Sequence, residues 1–323
     1  MSGTRGIWRE QADIAPTLVI LGVLGVQLWA FFTLESIGAL LAVMVALLLF
    51  SACPGAISHN HHHFPTFRYQ WMNRVYEVIL FLQTGIPPFA WTLHHNIGHH
   101  RLYLEPRKDP SGWINPDGSV MNRVKYDLLN AALVYPEIVR IGRARPKLYR
   151  KFKRWTAVSL GVLGVLLWLN PVAALILFVL PMPIMLVGLL DNTYQQHQDL
   201  DTSSDYTASR NTVNRLYNLI SWNLGYHTAH HLKPGLHWSR LPEFHEQIRH
   251  RIPEHLVCDS VFLSACNRQG EQATEPSAAA PGLSGGDGVR LQPQMPGRRP
   301  RPRTPGIRHT GTEGRGKLAV EVE

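Results

Sequence analysis

Four apolar runs without ionisable side chains decide what this chain can fold into. Ile14 to Leu34 carries no charge after Asp13, and Ile37 to Cys53 follows after only Glu35 and Ser36. A third run spans Thr156 to Leu169 and a fourth Val172 to Leu190, with Asn170-Pro171 turning between them. Crossing a hydrocarbon core takes about 20 residues as a helix. In lipid every backbone polar group must be satisfied internally, which a helix does by itself. The expectation is an all-α integral membrane fold: four transmembrane helices in two hairpins, at about 14–34, 37–53, 156–169 and 172–190. A secretory signal peptide is the competing reading of the first run, but no small-residue cleavage site separates it from the second. Pro181 and Pro183 fall inside the fourth run, where a membrane helix tolerates them as a kink.

Charge placement gives an orientation. The chain has 32 Lys and Arg against 23 Asp and Glu, a net charge of +9. Arg5 and Arg9 precede the first run, and the connection from Pro54 to Trp155 is rich in cations, above all between Arg140 and Arg154. The turns at Glu35 and Asn170 hold none. The positive-inside rule then puts both termini and the long connection in the cytoplasm, at a bacterial inner membrane or the endoplasmic reticulum. The basic excess reads as orientation and attraction to phospholipid; no aromatic-interleaved basic motif points to nucleic acid. Val78 to Leu93 is apolar but short and broken by Pro87-Pro88, so an interfacial or re-entrant segment is expected there. From about Arg268 the composition turns to Gly, Pro, Ser and Arg, with little to bury. Residues 1–267 are therefore expected to form the membrane domain and 268–323 a disordered tail. Three cysteines, Cys53, Cys258 and Cys266, make no disulfide framework and fit no zinc or iron–sulfur spacing.

Seventeen histidines are the strongest chemical signal. One cluster is His59-Asn60-His61-His62-His63, and a second is His94-His95-Asn96-Ile97-Gly98-His99-His100. The third is His227-Thr228-Ala229-His230-His231, and His197 stands alone after the fourth run. Residues i and i+4 share a helix face. His59 with His63, His95 with His99, and His227 with His230 and His231 each meet that spacing or i+3. Neutral imidazole ligates iron, zinc, copper or nickel. Eight or nine such groups exceed the needs of one ion, so two ions are expected. His61, His62 and His94 point off the shared faces. Two runs separate the second cluster from the third, which returns the chain to the same side. A full crossing at Val78–Leu93 would put the first cluster opposite the others.

Alone, His237, His245, His250, His255 and His309 read as ordinary histidines. His245-Glu246 followed by His250 is one position too long for the zinc-protease helix. No acid sits within a histidine cluster to serve as a general base, which argues against a membrane zinc hydrolase. Metal transporters carry ionisable residues inside their spans; the runs here lack them.

The clusters, written HxxxH, HxxxHH and HxxHH between two apolar hairpins, resemble the integral-membrane fatty acid desaturase and hydroxylase superfamily. Most specific is Trp222-Asn223-Leu224-Gly225-Tyr226-His227-Thr228-Ala229-His230-His231, then Pro234 and Leu241-Pro242. The likeness runs from about Pro16 to Pro253. It implies a cytosolic helical cap carrying the histidines and a non-haem di-iron centre that activates dioxygen. It further implies iron ligands at His59, His63, His95, His99, His100, His197, His227, His230 and His231. Asn223 matches a position that orients a ligand imidazole through a hydrogen bond. Asn60, His61 and His62 depart from the acid and small residues usual in the first cluster. The implied reaction is O2-dependent oxidation of a fatty acyl chain, with desaturation first. Hydroxylation, decarboxylation to a terminal alkene and acetylenic-bond formation are the alternatives on the same centre. Electrons would come from a separate ferredoxin, rubredoxin or cytochrome b5, since the chain has no His-Pro-Gly-Gly haem motif and no flavin or nicotinamide fingerprint. The basic stretch Arg140–Arg154 is a candidate docking face. Tyr103, Glu105, Arg107, Asp109 and Trp113 are read as a cap over the site or head-group contacts, and Asp191 and Gln195 as candidate partners of His197.

Overall fold

The computed structural model describes residues 6–50, 52–264 and 266. The tail expected at 268–323 lies outside the described residues. The chain is mostly helical. A 3-10 turn (Gln11–Asp13) leads into α1 (Ile14–Thr33), followed by α2 (Ile37–Leu49), α3 (Ala52–His63) and α4 (Gln70–Thr84). A π-helical segment, Thr92–His99, runs into the short α5 (His100–Leu102), and α6 (Arg123–Arg143) and α7 (Pro146–Leu169) follow. Next come α8 (Pro171–Ala174), a second π segment (Leu175–Val179) and α9 (Pro181–His197). The short α10 (Arg215–Ile220), α11 (His227–Leu232) and α12 (Leu241–Ile248) complete the helices. A two-stranded parallel ladder pairs Asn211 with Val257 and Thr212 with Cys258.

Among the described residues three helical stretches are long and apolar enough to cross a membrane: Gln11–Thr33, Pro146–Leu169 and Pro171–His197. A fourth exists if Ile37–Leu49 and Cys53–His63, bent by 55° at their junction, count as one span. Their outward side chains suit lipid, not water: Trp168 is 82% exposed and Phe32 69%. Between them Phe31, Leu40, Leu82, Leu166 and Phe178 form one apolar core. A second core, with Trp91, Leu93, Tyr126, Ile138 and Leu190, joins the π segment to α6 and α9.

The helices run past the apolar stretches at three places. The third span is not confined to 156–169: α7 starts ten residues earlier, because Pro146 opens its first turn and the basic stretch to Arg154 is helical. The second run does not simply end at Cys53, because the chain bends and continues as α3 through the first histidine cluster. The 78–93 segment is not one piece. Its first half is the end of α4, which stops at Gly85 (φ 74°), and the Pro87-Pro88 turn then redirects the chain into the π segment. Glycine is required at Gly85, since a Cβ there would lie 2.7 Å from Met182 Cβ.

Two glutamines explain how prolines and neighbouring helices are accommodated among apolar residues. Pro181 has no N–H to donate, and the Leu177 carbonyl four residues back instead accepts Gln27 Nε2 of α1 at 3.0 Å. Gln83 Nε2 donates to the Ile20 carbonyl at 2.8 Å, tying α4 to α1. A clamp also binds the start of α1 to the segment after α11. Asp13 Oδ1 accepts from Trp238 Nε1 at 2.9 Å and lies 3.0 Å from His237 Nε2. Cys258 and Cys266 are joined as a disulfide, one local link and not a framework.

Candidate metal centre

All nine histidines expected to gather do come together, in two adjoining groups. His59, His63, His95, His100 and His230 form one; His99, His197, His227 and His231 form the other. Within each group one nitrogen per ring lies within 4.8 Å of all the others. The groups abut, with the His100 ring stacked on His231 at a centroid distance of 4.3 Å.

The grouping does not follow the sequence clusters. The i,i+4 reading pairs His95 with His99, but the structure separates them. The Thr92–His99 segment is π-helical, and the His100 amide donates to the His95 carbonyl five residues back. An i→i+5 repeat aligns His95 with His100, whose Nε2 atoms are 3.1 Å apart, and turns His99 to the second group. On α11 the ordinary α repeat puts His227 and His231 together, their Nε2 atoms 3.1 Å apart. His230, about 60° to the other side of His227 around the helix, reaches across to His100 at 2.9 Å. His59 and His63 both stay with the first group.

The nitrogen spacing tests whether a cation fits. His197, His227 and His231 place their Nε2 atoms 2.9, 3.1 and 3.1 Å apart in a triangle. Three neutral imidazole nitrogens cannot satisfy one another in a triangle. Each edge needs one donor and one acceptor, so at least one edge is always like against like. A cation accepting all three lone pairs resolves the conflict. Two nitrogens about 2.1 Å from one ion and at right angles lie about 3.0 Å apart, which matches these edges. In the first group His59 to His95 is 2.9 Å, and His63 Nε2 is buried without a hydrogen-bond partner. His99 Nε2 is likewise buried and unpartnered. The residues present fit two metal ions.

Protonation is compatible with ligation. Burial, and then repulsion from neighbouring rings, holds His95, His100, His227 and His231 well below the ordinary histidine range. His230 is lowered for the same reasons. They are neutral at pH 7, the form that binds metals.

Outer contacts aim the rings. His99 Nδ1 lies 2.8 Å from Asp109 Oδ2, both side chains buried. His197 Nδ1 lies 2.8 Å from the Ala208 carbonyl. Both acceptors require the proton on Nδ1 and leave the Nε2 lone pair facing its group. His59 is aimed by Asn60. Asn60 Nδ2 donates to the Trp222 carbonyl at 3.0 Å, which fixes its Oδ1 as the acceptor 3.3 Å from His59 Nδ1. That task was expected of Asn223. Its amide donates instead to the Trp238 carbonyl at 3.1 Å, because its left-handed backbone (φ 66°) carries the side chain that way. Asp191 and Gln195 are not partners of His197 either: Asp191 pairs with Arg123, and Gln195 donates to Asp191. Asp109 was read only as a cap or head-group residue, and Tyr103 joins it at the site, its ring 4.1 Å from His231.

Among the described residues the other histidines stay outside both groups. His61 contacts Thr66 and Glu77, and His62 contacts the Ser58 carbonyl. His94 stacks near Trp91, and His245 lies against Tyr226. A cavity of about 210 Å³ lies between α3, α9 and α10, lined by residues such as Ala56, Met185, Leu189, Ile220 and Leu224. The helices α3 and α9 that wall it also carry His59, His63 and His197.

Fold and site define a helical membrane protein with two adjoining polyhistidine sites. The Fatty acid desaturase family matches residues 35–261. The chain belongs to that family, whose members are oxidoreductases acting on lipid, and the match contains all nine grouped histidines. A comparison with curated proteins returns no match.

Proposed function

We propose that the protein is a membrane-bound, non-haem di-iron enzyme that uses O2 to oxidise a fatty acyl chain, with desaturation as the reaction. The observation that carries this reading is the pair of buried imidazole groups, and the apolar cavity between α3, α9 and α10 supports it. Two iron ions held there would supply activation of dioxygen and removal of hydrogen from an unactivated C–H bond, chemistry no side chain performs alone. His59, His63, His95, His100 and His230 would hold one ion, and His99, His197, His227 and His231 the other. Asp109, the Ala208 carbonyl and Asn60 keep the ligand lone pairs aimed inward. Met185, Leu189 and Ile220 present an apolar wall that favours methylenes over water. Removing two hydrogens from neighbouring carbons leaves a double bond, whereas returning oxygen to one carbon leaves an alcohol.

In this reading α1 and α2 with its bent continuation form one membrane hairpin, and α7 with α8–α9 the other. Both termini and the histidine-bearing cap face the cytoplasm, where a separate ferredoxin, rubredoxin or cytochrome b5 delivers electrons. The exposed cations of Arg143 to Arg154 suit an acidic carrier of that kind.

The test is mass spectrometric lipid and hydrocarbon profiling of a host expressing the protein, against His230→Ala at matched abundance. A product two hydrogens lighter, absent with His230→Ala, is expected. A product one oxygen heavier would replace desaturation by hydroxylation, and an alkene one carbon short would replace it by decarboxylation. Purified protein with zinc and no iron would overturn the reading.

A further inference from the structure

The cavity has an open side, and its position bears on where the acyl chain comes from. Ile184 and Gly188, one turn apart on α9, line the cavity and are exposed. They lie on Pro171–His197, a helix long and apolar enough to cross a membrane. Facing them, α10 contributes Tyr217 and Ile220 to the lining and turns Leu216 and Leu219 outward, 54% and 68% exposed. From Ile184 to Asn192 the cavity follows α9 for about 12 Å, at 1.5 Å per residue. Along α9 the lining is apolar from Ile184 to Leu189 and turns polar at Asn192, toward the His197 end of the helix. No lining residue carries a formal charge. The exposed cations Arg143, Lys147, Arg150, Lys153 and Arg154 belong to α6, α7 and the turn joining them, which contribute nothing to the lining, and on α10 the exposed Arg215 precedes Leu216 without lining the cavity.

We infer that the cavity fills sideways from the bilayer: the acyl chain of a membrane phospholipid enters between α9 and α10. The protein then takes its substrate from lipid and not from a water-soluble thioester. A coenzyme A thioester carries several phosphate charges, and holding one calls for cations around the mouth. Here the mouth is aliphatic and continuous with the lipid-facing surface of α9, and Leu216 and Leu219 extend that surface onto α10. The oxidation of the chain rests on the proposed function, and the portal on the membrane placement of α9 proposed with it.

The full chain, purified with its metal and reconstituted in phosphatidylcholine vesicles, is photolabelled with phosphatidylcholine bearing a diazirine on one acyl chain. A parallel arm uses the same diazirine chain as its coenzyme A thioester, added from water. Labelled peptides are mapped by mass spectrometry. The phospholipid probe is expected to label cavity residues between 184 and 192 and between 217 and 224. Gly188→Trp should cut that labelling by about tenfold, equivalent to about 1.4 kcal/mol of occupancy. A Cβ at Gly188 meets nothing within 4 Å, so the backbone accepts the change. Gly188→Ala should stay within about twofold, which a general loss of fold would not allow. Unchanged metal content in both variants shows that the histidine groups still assemble. Preferential cavity labelling by the thioester would overturn the inference. So would phospholipid labelling confined to outer residues such as Trp168 and Leu49. Because the readout is labelling and not turnover, absent oxidation products would defeat the proposed reaction and leave this result to be judged separately.

Discussion

Replacing Asp109 by Asn probes the centre without touching a grouped histidine. Asp109 uses both oxygens as acceptors: Oδ2 stands 2.8 Å from His99 Nδ1, and Oδ1 accepts the Ser111 amide at 2.8 Å. An asparagine has one acceptor oxygen and one NH2 group. If the NH2 faces Ser111, donor meets donor and the loop carrying residue 109 loosens. If it faces His99, the imidazole must give up its Nδ1 proton and carry it on Nε2, which then points a hydrogen into the second group. Both orientations weaken that group and leave the first intact. Outer partners of metal-bound imidazoles are worth about 10–100-fold in metal affinity, or about 1.4–2.7 kcal/mol. Chelator competition on purified protein should therefore show one of two ions lost at about 10–100-fold lower chelator activity in Asp109→Asn, and the other unchanged. Asp109→Ala should behave similarly, because it also removes the acceptor. Two ions held with wild-type affinity in both variants would refute the argument that Asp109 sets the His99 tautomer.

Other outcomes follow from single positions. A Cβ on Gly225 would lie 2.4 Å from the Thr212 carbonyl oxygen and 2.5 Å from Asn218 Oδ1; Gly225→Ala should cost about 1–3 kcal/mol in thermal denaturation and displace His227. His245 is buried with neither ring nitrogen bonded, and burial lowers its pKa. Its folded form is neutral, so the stability that depends on it is present above the unfolded value of about 6.5 and is lost as pH falls below it. His245→Leu should flatten the melting temperature between neutral and mildly acid pH without lowering it at pH 7, and a steeper acid loss in the variant would contradict this. Truncation after residue 267 should leave oxidation products unchanged, and their loss at normal membrane abundance would show that the tail contributes.

The apolar runs were legible because crossing a membrane leaves few choices: α1, the apolar part of α7, and α9 sit where absence of charge puts them. Boundaries were harder wherever a helix continues past its apolar stretch. Lys147 to Arg154 is too charged to read as a span, and its helical signs are local: Pro146 at the first turn and Leu148 with Phe152 at i,i+4. The gathering of histidines was legible from spacing and from the even number of runs between clusters. Their division into groups was not, because an i,i+4 rule assumes α geometry and the Thr92–His99 segment is wound to i+5. Asn60 looked like a departure from a family pattern, and its task emerged only with Trp222, 162 residues away, on its amide.

That distance is the clearest argument for what holds the centre together. The grouped histidines come from α3, the π segment, α5, α9 and α11, and the outer contacts tie these elements to one another and to the loops between them. Asn60 bridges α3 to the turn before α11, where Trp222 and Asn223 both take left-handed backbones (φ 51° and 66°). The Ala208 carbonyl binds the segment after α9 to His197, and Asp109 binds the loop before α6 to His99. Asn60 meets His59 within α3 but is itself fixed by Trp222, and the other two contacts cross elements, so the aimed set of lone pairs needs the elements docked. The close triangle of His197, His227 and His231 is unfavourable without a cation and favourable with one. Metal binding and docking of these elements should therefore be coupled, each stabilising the other, as in sites whose ligands converge only on folding.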